Sequence, residues 1–324
     1  MSEDIELKSY SISELREELR SREIFAKLAP GAHPEAKDGA AKSALASADS
    51  KAVVEALSTK QKGIYGVDDR KDYYEFVNDL ERTLAESVAA LFREAGVTSN
   101  GDGTSSLFTV PLSRSQGVCG GERFAEQPTG AFCTGFLVAP DVIATAGHCI
   151  NETNVGTVRF VFGFRMTAVN DTTLKISDKD IYSGKEMIGW MLNTGSGEDW
   201  ALVRLDRPVL DRAVLALRTS GRVADNAPVF VMGHPSGLPL KFADGSNVRD
   251  NTALTYFIAN LDTYGGNSGS PVFGADGVVE GILVRGGTDY VTNGNCFVSL
   301  VCPTSGCRGE DCTRITEVAE ALSA

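Results

Sequence analysis

The sequence predicts a mainly β protein built from two adjacent barrels, with helices confined to the ends of the chain. From about Ser106 onward, short segments rich in Val, Phe, Thr and Leu alternate with turn residues. Roughly a dozen or more such strands fit over about 220 residues, too many for one small barrel. Helical periodicity, by contrast, falls before Ser106 and in the last residues.

The elements follow in order. "SISELREELRSREIFAKL" (Ser11 to Leu28) reads as a helix: Ser11 and Glu14 have capping-box spacing, Ile12, Leu15 and Leu19 share a face, and Pro30 and Gly31 stop it. Pro30 to Lys51, biased toward Ala, Ser, Gly and Lys, reads as a linker. Asp79 to Gly96 favours a helix through Leu80, Leu84, Val88, Leu91 and Ala95, although "SVAALF" within it also fits a short buried strand. The expected strands are "SLFTVPL", "FCTGFLVAP", "VIATAGH", "TVRFVFGF", "WALVRLD", "APVFVMG", "LTYFIANL" and "VVEGILVRGG", and "TRITEVAEALS" closes the chain as a short helix. The chain thus divides into a helical extension with linker, 1–62, and a main domain, 63–324, with its motifs in 106–324.

Bulk properties narrow the function. The chain has 324 residues, 42% hydrophobic and 23% charged, with a net charge of −12. That acidity argues against a nucleic-acid surface as the main function. No apolar run approaches the roughly 18 residues of a membrane-spanning helix, so no membrane partner is expected. "MSEDIELKSYSI" lacks the basic start and apolar stretch of a secretory signal. Seven cysteines point the other way, toward an oxidising setting, secreted or periplasmic; a cytoplasmic protein with reduced thiols is the alternative.

The chemistry centres on "TYGGNSGSPVF" (Thr263 to Phe273). A Ser between glycines can present its hydroxyl while neighbouring backbone N–H groups point into the same space, as a nucleophile with an oxyanion hole requires. Upstream stand "ATAGHC", with His148, and "GEDWALVRLDRP", with Asp199 before an apolar run. "TAGHC", "DWAL" and "GNSGSP", in the order His148, Asp199, Ser268, resemble the catalytic boxes of chymotrypsin-fold serine endopeptidases. The Asn in the last box brings it nearer the bacterial glutamyl-endopeptidase-like branch.

The resemblance implies a double six-stranded antiparallel β-barrel with a C-terminal helix. It implies a serine endopeptidase that hydrolyses peptide bonds through an acyl-enzyme, without metal or cofactor. Ser268 would be the nucleophile, His148 the base, Asp199 its orienting acid, and the N–H groups of Gly266 and Ser268 the oxyanion hole. A Cys133–Cys149 disulfide would tie the strand to the histidine loop. Two other readings are a catalytically silent binding module on a protease fold, and a latent regulatory protease specific for one partner. The extension 1–62 is a candidate autoinhibitory or partner contact.

Specificity is divided. Asp262 sits where trypsin-like members select a basic side chain, and Thr263 where glutamyl-specific members use a hydroxyl. Val284 stands where the latter place a pocket His, with Arg285 beside it as an attraction for an acidic side chain. A basic residue before the cleaved bond is slightly favoured. Val284 to Gly286 would pair with an extended protein or peptide substrate. Asn267 replaces the Asp that pairs with a new N-terminus in activated zymogens, and a neutral amide cannot make that ion pair. Cys296, Cys302, Cys307 and Cys312 lack zinc spacing and suggest disulfides, with Cys119 as the odd thiol.

Overall fold

The computed structural model describes residues 64–323, apart from 170, 172–173, 194, 287–288 and 304–305. The expected helix at Ser11 to Leu28 and the linker after it lie outside the described residues. The described chain begins with two short strands, β1 (Ile64–Tyr65) and β2 (Lys71–Asp72), followed by helix α1 (Asp79–Ala85).

The first barrel comprises β3 (Val88–Arg93), β4 (Cys133–Ala139), β5 (Val142–Thr145), β6 (Val158–Phe162), β7 (Ile181–Leu192) and β8 (Asp199–Leu205). These close in the order β6-β7-β8-β5-β4-β3, every pair antiparallel. The second comprises β9 (Pro228–Gly233), β10 (Lys241–Asp250), β11 (Tyr256–Ala259), β12 (Pro271–Gly274) and β13 (Val279–Arg285). After a short strand β14 (Val301–Cys302), β15 (Glu310–Arg314) completes it. The order is β9-β12-β13-β15-β11-β10, closed by β10 pairing back to β9, again antiparallel. Helix α2 (Ile315–Ser323) ends the chain. The mainly β, chymotrypsin-like double barrel with its C-terminal helix is therefore observed.

The helical reading of Asp79 to Gly96 is corrected. α1 is capped by Asn78, whose side chain accepts a hydrogen bond from Glu81 N at 2.7 Å, and it ends after seven residues. "VAALFR" then runs as β3. Its residues alternate between two cores: Ala89 and Leu91 pack into the main one, Ala90 and Phe92 against Leu107, Val161 and Phe164. Period-two burial on both faces overrides the weak helical spacing. The C-terminal helix begins two residues later than expected, because Thr313 and Arg314 belong to β15.

The main core runs between the barrels. One continuous cluster takes in Phe136, Phe160 and Phe162 of the first barrel, Met232, Phe273 and Ile282 of the second, and Ile315 and Val318 of α2. Each fully buried side chain of this size contributes about 1.5–3 kcal/mol. A second core fills the second barrel, with Val231, Val248, Phe257, Leu261 and Leu283.

Three disulfides, Cys119–Cys296, Cys133–Cys149 and Cys302–Cys307, accord with an oxidising setting. Cys119 is thus not the odd thiol. The seventh cysteine, Cys312, is buried on β15, its Sγ 3.7 Å from the Glu310 carbonyl. Among the described residues no helix is long and apolar enough to cross a membrane.

Candidate functional site

The site lies where the barrels meet. β5 delivers the loop carrying His148, and β8 begins at Asp199. Gly147 lets them approach: a Cβ there would meet the Met191 and Trp200 carbonyls and lie 3.2 Å from Asp199 Oδ1. His148 N donates to Asp199 Oδ1 at 3.1 Å, and His148 Nδ1 lies 2.7 Å from Asp199 Oδ2. Both carboxylate oxygens are engaged, which fixes the ring and places the proton on Nδ1. Asp199 is buried, whereas His148 is 37% exposed. Two groups without a local sequence signal support the pair. Thr313 Oγ1 accepts from Asp199 N at 3.2 Å, from a segment read as helix. Trp190 Nε1 donates to the Gly147 and Ile150 carbonyls at 2.8 and 3.0 Å, pinning the loop.

Ser268 comes from the second barrel. Its carbonyl accepts from Thr134 N at 2.9 Å, so the two barrels are joined at the serine itself. Gly266 and Gly269 flank it with φ of +92° and +89°. A Cβ on Gly269 would overlap the Thr134 carbonyl and Thr145 Oγ1. The Gly265 carbonyl accepts from Ser236 N, which turns the Gly266 N–H the opposite way. Asn267 is buried, and its side-chain oxygen accepts from Ser270 Oγ at 3.3 Å.

Two of the expected selectors, Asp262 and Arg285, are held by hydrogen bonds within the fold. Asp262 accepts from Tyr65 N at 2.6 Å and from Asp69 N at 3.4 Å, both in the segment around β1. Burial pushes its carboxyl up to about 6. Thr263 is fully buried, and Val284 packs in the core between the barrels. Arg285 donates from Nε to Asp311 at 3.2 Å and from Nη2 to the Gly197 carbonyl at 2.6 Å. Its Nη1 lies 3.9 Å from Asp199 Oδ2, so it adds positive charge beside the His–Asp pair.

The expectation of a working serine endopeptidase is corrected by the surroundings of His148. No hydrogen bond joins Ser268 Oγ to the imidazole among the described residues, although that bond marks an activated nucleophile. Instead the sulfurs of Cys133 and Cys149 and a ring nitrogen of His148 all lie within 4.8 Å of one another. Those sulfurs are oxidised to a disulfide and offer no thiolate. The structure holds Ser268 and the His148–Asp199 pair, but no hydrogen-bonded Ser–His–Asp chain.

A trypsin-like peptidase domain model matches residues 133–282, less than half of the chain. The chain is 29% identical over 152 residues to a glutamyl endopeptidase of Bacillus licheniformis, covering 44% of this chain and 45% of that one. It is also 29% identical over 150 residues to an extracellular metalloprotease of Bacillus subtilis, with the same coverage. It thus spans about half the length of these curated relatives. Among solved structures, the active form of the Rv3671c protease of M. tuberculosis aligns over 76% of this chain and 83% of its own, at 15% identity and a TM-score of 0.45. Human heparin binding protein aligns over 80% and 95%, at 14% identity and a TM-score of 0.49. The match to the trypsin-like peptidase domain model accords with the double barrel described above, and the resemblance of the motifs does not by itself make the chain a working serine endopeptidase.

Proposed function

We propose that the chain is a protein-binding module on a trypsin-type double barrel, catalytically silent in the state described. The observation that carries this reading is the unmade Ser268–His148 hydrogen bond, beside an imidazole flanked by Asp199 and an oxidised cysteine pair. The surface suited to a partner lies along β13. Its pairing with β12 ends at Ile282, and Leu283 is still held by Gly269 and Ser270. From Val284 onward no strand covers that side among the described residues, so an extended polypeptide can add there as a strand.

The test combines an active-site probe with a binding screen. The intact protein is treated with a fluorophosphonate, and in parallel incubated with a proteome-derived peptide library read by mass spectrometry. The expected result is no label on Ser268, no new peptide termini, and the same retained peptides for wild type and Ser268→Ala. Label on Ser268, or cuts absent from Ser268→Ala, would overturn the silent reading. Label that appears only after removal of residues 1–62 would replace it with a latent protease controlled by that extension.

A further inference from the structure

We propose that the cavity between the β8–β9 connection, the β10–β11 turn and α2 binds a small zwitterion, an α-amino acid with an apolar side chain. The cavity measures about 480 Å3, a size that holds a small molecule. Arg222 reaches it from the connection, Leu254 from the turn, Arg314 from the end of β15, and Glu317 and Glu320 from α2.

The charges around it come as two like pairs. Burial, and then the charge of Arg222, holds the Arg314 guanidinium below its usual range, so the two cations face each other. Glu317 and Glu320 are three residues apart and share a face of α2. Burial, and then the charges of Glu198 and Glu320, pushes the Glu317 carboxyl up. Arg314 attracts Glu317 at a distance, yet among the described residues no ion pair joins any of these four side chains to an opposite charge.

Arg314 is the fixed point of the site. It is 3% exposed, and its Nε donates to the Leu254 carbonyl at 3.0 Å. Its Nη2 donates to the carbonyls of Asn251 and Ala253 at 3.1 and 2.9 Å and to Asn251 Oδ1 at 2.6 Å. These neutral acceptors orient the guanidinium without cancelling its charge, and Nη1 donates to no protein group among the described residues. A carboxylate set between Arg222 and Arg314 answers the cations with charge-assisted hydrogen bonds, and an ammonium group does the same for the glutamates. A simple anion would leave the glutamates unanswered, and a simple cation the arginines. An α-amino acid carries both charges on one carbon, and Leu254, 76% exposed, offers its side chain an apolar wall.

The inference stands apart from the binding-module reading, because a bound amino acid is read directly. The full chain is titrated by calorimetry with L-leucine, with N-acetylleucine, which lacks the ammonium, and with leucine amide, which lacks the carboxylate. Leucine should bind once per chain and each analogue about 10–100-fold more weakly. Arg222→Gln and Glu317→Gln should each weaken leucine by about the same factor while melting close to the wild type, since Arg222 makes a single 3.5 Å bond to the Asn251 carbonyl. Ser268→Ala should bind leucine as the wild type does, and peptides retained along β13 should not displace it. No binding of leucine, equal binding of either analogue, undiminished affinity in both charge variants, or displacement by those peptides would overturn the site.

Discussion

Asp262 stands where the sequence motif suggests a selector for a basic side chain, yet its oxygens are taken by the backbone of residues 65 and 69. A carboxylate used this way makes stability depend on pH. Its neighbour Asp69 is pushed up to about 8, first by burial and then by the charges of Asp262 and Asp244. The folded chain therefore keeps a proton that the unfolded chain releases near its ordinary 3.8. The associated stability is complete below that ordinary value and is lost as pH rises through about 8. His234 works the other way. Buried, with Nδ1 2.9 Å from the Leu238 carbonyl, it is pushed down to about 3, so its stabilisation is full above its ordinary 6.5 and is lost as pH falls. Above pH 6.5 only the Asp69 loss remains of these two. We expect the urea midpoint of the wild type to fall between pH 6.5 and 8 and that of Asp69→Asn to stay nearly level. A parallel fall in both proteins would remove Asp69 as the source.

At the scale of elements, strands with local apolar alternation were legible, and strands whose residues find their partners far away were not. "WALVRLD" and "APVFVMG" announce β8 and β9. The ten residues of β10, "KFADGSNVRD", look like a loop, because Lys241 is buried only through partners distant in sequence. Its ammonium is bonded to Asp72 of β2 and to Gln127 Oε1 at 2.7 Å. The twelve residues of β7 were hidden similarly, by bulges that break their alternation. His148, Asp199 and Ser268 are legible because motif order survives in one dimension, whereas Thr313, Trp190 and the segment covering Asp262 enter the site only through folding. The Lys241–Asp72 pair gives this distinction an energy. Lys241→Met would leave a buried carboxylate without its cation and should cost about 3–5 kcal/mol in urea denaturation. Lys241→Met/Asp72→Leu should recover most of that loss, since neither charge is then buried alone. Equal losses for the single and double variants would show that the cost lies in packing instead.

At the scale of the molecule, the site depends on two barrels keeping their relative position: His148 and Asp199 come from one and Ser268 from the other. Thr134 N meets the Ser268 carbonyl directly across this boundary. The Cys119–Cys296 disulfide adds a covalent tie, joining the long connection between β3 and β4 to the segment that follows β13, 177 residues away. Backbone bonds between Cys119 N and the Phe297 carbonyl at 2.8 Å, and between Phe297 N and the Gly117 carbonyl at 3.0 Å, reinforce that junction. A bridge closing so long a loop constrains the unfolded chain far more than Cys302–Cys307, whose ends are five residues apart. Cys119→Ser/Cys296→Ser should therefore lower stability by about 2–5 kcal/mol, and Cys302→Ser/Cys307→Ser by clearly less. Thermal unfolding of both variants under oxidising conditions decides the order. If removing the short bridge proves the more damaging, the C-terminal loop rather than the long connection holds the second barrel in place against the first.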